Sequence, residues 1–135
     1  MSRTPGMRQR SIQTDRHRFE VLVAAAVDAI PEEFAGYLEN VVVVIEERPS
    51  AALLESMGLD PEEDTLFGLY EGTALPERSH EDAGRPPDRI TIFRRPILET
   101  CRSERSVRRE IEITIVHEIA HHFGLDEERV HRLGY

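Results

Sequence analysis

Between residues 15 and 30 the apolar positions Phe19, Leu22, Val23, Ala26, Val27 and Ile30 recur at helical spacing. Thr14 or Asp15 can cap the start of that helix, and Pro31 stops it. Residues 31–38 predict a second, short helical turn. Residues 41–45 are five β-branched side chains in a row, without alternation, which predicts a strand buried on both faces. Residues 49–65 hold Pro49, Gly58, Pro61 and many acids, and read as a loop with one short helix. Residues 66–71 predict a strand weakened by Gly68, and residues 72–88 an exposed loop rich in Gly and Pro. Residues 89–93 alternate polar and apolar side chains, the pattern of a half-buried strand. Residues 96–101 predict a helical turn. A long helix then runs from about residue 104 to 123, ended by Gly124, and a short helix over residues 126–133 follows.

On the wheel of the long helix, Ile111, Ile113, Ile115, Val116, Ile119, Ala120 and Phe123 form a wide apolar arc, so the helix is expected to be buried on most sides. The remaining narrow sector carries Glu110, Thr114, His117 and His121. His117-Glu118-Ile119-Ala120-His121 is an H-E-x-x-H sequence. With 6 His among 135 residues, chance supplies about 0.04 such matches per chain, and below about 0.001 once Gly at +7 and an acid or His at +10 are required.

Helix geometry gives that spacing a chemical meaning. Residues four apart lie about 40° from each other around the axis, so the His117 and His121 imidazoles project from one face, one turn apart, and can share a zinc ion. Glu118 lies about 100° from His117, too far round to be a third ligand easily, yet close enough to reach a water on the metal and take its proton. A catalytic zinc needs three protein ligands and one open position. Gly124 can take the left-handed conformation that reverses the chain and brings the following residues back. Glu127 is the expected third ligand, with Asp126 and Glu128 as the competing neighbours. Asp126 is also a natural N-cap for the last helix. His122 is expected to be packed or to support the ligands from behind, and His131 to lie at the surface. Cys101 is expected as a small buried residue. Arg94, Arg95, Arg108 and Arg109 are expected solvated or paired with acids.

Composition narrows the setting. The length predicts one domain, residues 14–135, preceded by an Arg-bearing disordered arm at residues 1–13. A single cysteine excludes an intrachain disulfide framework. No apolar run approaches a membrane span, and the arginines near residue 1 precede no apolar stretch of a secretory signal, so a cytoplasmic protein without a membrane partner is expected. All 17 basic residues are Arg, against 26 acids, for a net charge of −9. The charge is uneven: +4 over residues 1–18, −14 over 19–88 and +1 over 89–135. An acidic body of this kind disfavours nucleic acid as a partner.

The segment from His117 to Glu127 resembles the signature H-E-x-x-H-x-x-G-x-x-(H/D) of metzincins, within the zincin superfamily of metallopeptidases. The region from about Asp15 onward, with Gly68-Leu69-Tyr70-Glu71-Gly72 and Phe93-Arg94-Arg95-Pro96, resembles the minimal zincins, small bacterial zincin-like predicted proteases. The resemblance implies an α+β fold with a small sheet packed on the active-site helix. It also implies zinc held by His117, His121 and the +10 acid, with Glu118 as base; it does not settle the substrate, for which a peptide or protein is the expectation. Two positions depart from the pattern: Glu127 stands where the family usually has Asp, and no Met follows His121 to form a Met-turn. The expected function is a zinc-dependent metallopeptidase; the competing one is a zinc-binding interaction protein of the same fold with little turnover. Tyr70, Tyr135 and His131 are the candidates for holding an oxyanion. A purely structural zinc site would want a fourth protein ligand and usually cysteines.

Overall fold

A computed structural model describes residue 12 and residues 14–73 and 86–135. Helix α1 (Arg16–Ala29) starts on Asp15, whose carboxylate accepts from the Arg18 N–H at 2.7 Å, and ends before Pro31. Helix α2 (Glu32–Ala35) continues into a short 3-10 turn at Gly36–Leu38. Strand β1 (Val41–Glu46), helix α3 (Ala51–Ser56), strands β2 (Gly68–Glu71) and β3 (Asp88–Phe93) and helices α4 (Arg94–Thr100), α5 (Glu104–Phe123) and α6 (Glu127–Arg132) follow. The fold is α+β, as expected. Among the described residues no helix is long and apolar enough to cross a membrane. Of the expected arm, Ile12 is half-buried against the core, and the rest of residues 1–13 lies outside the described residues. The expected loop at 72–88 is described only at its ends.

The sheet has the order β1-β3-β2, with β1 parallel and β2 antiparallel to β3. This reverses the expected burial of two strands. The run of valines in β1 is an edge strand, half-buried at best, with Val42 42% exposed. The alternating β3 is the central strand, and Ile90, Thr91, Ile92 and Phe93 are all buried. Five β-branched residues favour a pleated backbone whether or not both faces are covered. The side chain of Thr91 is small enough for β3 to be covered on both faces.

Helix α5 is the centre of the molecule. It packs on β2 and β3 on one side and on α1 and α4 on others, with α6 at its end. Val107, Ile111, Ile115 and Ile119, each four residues apart, have no exposed surface, and Phe19, Leu22, Val23 and Ala26 of α1 meet that helix from outside the sheet. Each such Ile contributes about 1.5–3 kcal/mol by burial. The start of α5 is fixed by a capping box between Ser103 and Ser106 and by a two-pronged contact of Arg18 with Glu104, at 2.7–3.1 Å. That guanidinium holds the Glu104 carboxyl below the usual range. Of the other arginines, Arg94 is paired with an acid, one of the two expected outcomes, and is also buried. It binds Glu47 at 2.6 Å and the Thr14 carbonyl oxygen, tying β1's end to the start of α1.

Candidate active site

The last turn of α5 ends where a reversal was expected. Gly124 has φ 65° and ψ 38°, a conformation glycine takes without the clash a Cβ would bring, and the N–H groups of Gly124 and Leu125 both return to the Ala120 carbonyl. The chain then re-enters a helix at Asp126, whose side chain accepts from the Glu128 N–H at 3.0 Å. The reversal brings α6 alongside the end of α5. His117 and His121 of α5, Glu127 and His131 of α6, and Tyr135 line one small cavity of about 90 Å³. Glu127 Oε2 approaches His121 Nε2 to 3.5 Å. His117 Nε2 meets the Tyr135 main-chain oxygen at 2.7 Å. His131 is at the surface, as expected, and also borders this cavity.

Among the described residues, no three His, Cys, Asp or Glu side chains are drawn together closely enough to hold a metal. The donor set nevertheless has the chemistry of a zinc site: two imidazoles one helical turn apart and a carboxylate beside one of them. The His117 nitrogen is engaged by the Tyr135 main-chain oxygen. The residues therefore fit zinc in kind, and they line one cavity without being drawn together to a metal's bonding distance.

Glu118 faces another way, toward the sheet. Its Oε1 accepts from the Tyr70 main-chain N–H at 2.9 Å. Strand register explains why that N–H is available. Phe93 N donates to Phe67 O, so residues 67, 69 and 71 direct their main-chain groups at β3, while Gly68 and Tyr70 direct theirs to the free edge. Burial pushes the Glu118 carboxyl above the ordinary Glu range; the Tyr70 N–H and the nearby His121 and His117 draw it partly back. A groove of about 370 Å³ runs between this edge and α5, lined by residues 65–68, Glu110, Thr114, His117, Glu118 and His121. Glu110 is half-buried in its wall, and burial raises its carboxyl despite the Thr114 hydroxyl at 3.3 Å. Thr114, placed on the polar sector by its sequence position, is itself buried under Gly68.

The aromatic surroundings were not legible in the sequence. Tyr70 stacks on His122 with ring centroids 4.0 Å apart, so His122 is packed through one ring face although it is exposed. The Tyr70 hydroxyl donates to Asp88 at 2.6 Å, and Asp88 also accepts from Thr73 N, which fixes the end of β2. Tyr135 is held by its hydroxyl on Glu112 at 2.9 Å, by Arg109 over its ring at 4.4 Å, and by Phe34 edge-on. Glu112, a charge inside the apolar arc, is buried because Arg109 and Tyr135 satisfy it. The i, i+3 spacing of Arg109 and Glu112 was the one available signal.

A family profile described as zincin-like metallopeptidase matches residues 38–135. Among solved structures, a conserved hypothetical protein from Thermo thermophilus is similar, with 23% identity and a TM-score of 0.51, over 87% of this chain and 99% of that one. That likeness speaks to the fold. No curated protein matches the chain.

Proposed function

The chain belongs to the zincin-like metallopeptidase family, and from that premise we propose that it is a zinc-dependent peptidase whose zinc is held by His117, His121 and Glu127. The observation that carries this reading is that those three side chains line one cavity while Glu118, between the two histidines in sequence, lines the adjoining groove. Zinc, when bound, supplies Lewis-acid polarisation of the substrate carbonyl and lowers the pKa of water. Glu118 is the general base: its raised affinity for protons suits a carboxylate that must take a proton from water and pass it to the leaving amine. The Tyr70 N–H orients that carboxylate by holding one oxygen and leaving the other for the proton. An extended peptide would lie along the free edge of β2, where Gly68 turns its main-chain groups outward, and the groove beside α5 would take alternate side chains. As His117 would release the Tyr135 oxygen to bind metal, loading and the placement of Tyr135 are linked.

One observation favours a second reading, a zinc-binding interaction protein with little turnover. The hydroxyls of Tyr70 and Tyr135, both candidates for stabilising an oxyanion, are each engaged by a carboxylate. Zinc content and cleavage of a broad peptide library decide between the two. Peptidase action predicts one zinc per chain, lost in His117→Ala and His121→Ala. It also predicts a Glu118→Gln variant that keeps zinc and loses hydrolysis. Zinc binding with no cleavage of any peptide by the wild type selects the interaction protein; full zinc in both His variants overturns the site.

A further inference from the structure

The groove beside β2 does not end at Glu110. Glu110 and Ile113 also line a second, larger groove, of about 700 Å³, that continues along α5 to the residues before it. Its walls carry Arg102, Arg105, Arg108 and Arg109. Arg109 is engaged by Glu112 and the Gly134 carbonyl. The other three have no carboxylate partner among the described residues. That is unusual in this molecule. Arg16, Arg18, Arg48, Arg89, Arg94, Arg95 and Arg132 each pair with a glutamate, and among the described arginines outside the groove only Arg129 shares the unpaired condition. In a chain of net charge −9 with 26 acids, four guanidiniums, three of them without an ion-pair partner, against the single carboxylate Glu110 give this groove's lining a positive balance that favours an acidic ligand.

Resting on the peptidase reading, we propose that this second groove is a substrate subsite for an acidic peptide segment, with Arg102, Arg105 and Arg108 setting the preference. Arg108 and Arg105 precede His117 by nine and twelve residues, about 13 and 18 Å back along the axis of α5 and about 180° and 120° round it. Their side chains line the groove that begins at Glu110 and Ile113, and an extended peptide needs at least about four to six residues to come to them. Strand β2 and helix α5 run the same way, since Gly68 lies against Thr114, Tyr70 binds Glu118 and Gly72 lies near His122. A peptide pairing antiparallel to β2 therefore carries its C-terminal part into the arginine groove. The preferred substrate has Asp or Glu at least about four positions C-terminal to the scissile bond.

Binding and cleavage test this separately. Anisotropy of a fluorescein-labelled peptide containing four consecutive Glu is compared with its Gln counterpart, on wild type and on Arg105→Glu/Arg108→Glu, both side chains being partly or fully exposed. The Glu peptide is expected to bind about tenfold more tightly at low salt. That advantage is expected to shrink as salt rises and to vanish in the double variant with an unchanged melting temperature. Equal binding of the Glu and Gln peptides, or an advantage kept by the variant, overturns the proposal. A single-stranded oligonucleotide binding as tightly as the Glu peptide also overturns it, by making the groove a general polyanion site. Glu-peptide binding that depends on the arginines, in a protein that cleaves nothing, supports the groove and fails the peptidase reading. Cleavage without acidic preference does the reverse.

Discussion

Gly68→Ala tests how closely strand β2 is seated on helix α5. A Cβ at Gly68 would stand 2.6 Å from Thr114 Cγ2, 3.1 Å from the Thr91 oxygen and 3.5 Å from Ile92 Cδ1. Carbon pairs are comfortable at about 3.5–4.0 Å, so Thr114 or β2 must give by about 1 Å. Thr114 has little freedom, being β-branched, buried and bonded through its hydroxyl to Glu110. Overpacking of this kind costs about 1–3 kcal/mol. The smaller entropy of an alanine-containing unfolded chain returns about 0.4–1 kcal/mol. A net loss of about 1 kcal/mol lowers the melting temperature by roughly 3–5 °C for a chain of this size. Since Gly68 is two residues from Tyr70, the strained strand should also loosen the Tyr70–Glu118 bond, seen as faster hydrogen exchange of the Tyr70 amide and slower peptide hydrolysis. Thr114→Ser removes the clashing methyl, and in the double variant it should recover more than about 0.5 kcal/mol beyond additivity. Thermal melts of the four proteins measure this. A Gly68→Ala protein as stable as wild type, or single effects that simply add, refutes the close seating of β2 on α5.

Glu127→Ala is expected to weaken zinc binding by orders of magnitude, whereas Asp126→Ala is expected to keep zinc and lose about 1 kcal/mol through the broken cap of α6; a metal titration showing the opposite assigns the third ligand to Asp126. Burial makes Glu110 hold its proton more tightly folded than unfolded, so the native state is penalised as pH rises through the unfolded and then the folded pKa. Glu110→Gln should therefore melt higher than wild type near neutral pH, with the difference closing below about pH 4; equal melting at neutral pH removes the desolvation argument.

The parts of the fold set by neighbours in sequence were legible. Residues 104–123, the αL stop at Gly124 and the Asp126 cap depend on local periodicity and on backbone groups within a few residues. What depends on distant partners was not. Whether β1 or β3 is central is decided by chain order in the sheet, and a run of valines carries no information on that. Arg94 is buried because Glu47 and Thr14, 47 and 80 residues away, meet it. The same holds at the site. The H-E-x-x-H spacing pointed to His117, Glu118 and His121 because one helix carries all three. The Tyr70 N–H that orients Glu118 comes from a strand 48 residues earlier, through a main-chain atom that has no sequence signature.

Because α5 lies between α1 and the sheet, these two layers precede it on the chain. A ribosome releasing this protein exposes the apolar faces of α1 and of β3, with Phe19, Ile90 and Ile92, before the helix that covers them exists. At roughly 5–20 residues per second, the 30 residues from Phe93 to Phe123 leave those faces wet for a few seconds. The helix that would carry the chemistry is thus also the keystone of folding. A nascent chain stalled before it should be a better chaperone client than the finished protein, and cleavage of a substrate would be impossible until the core has closed.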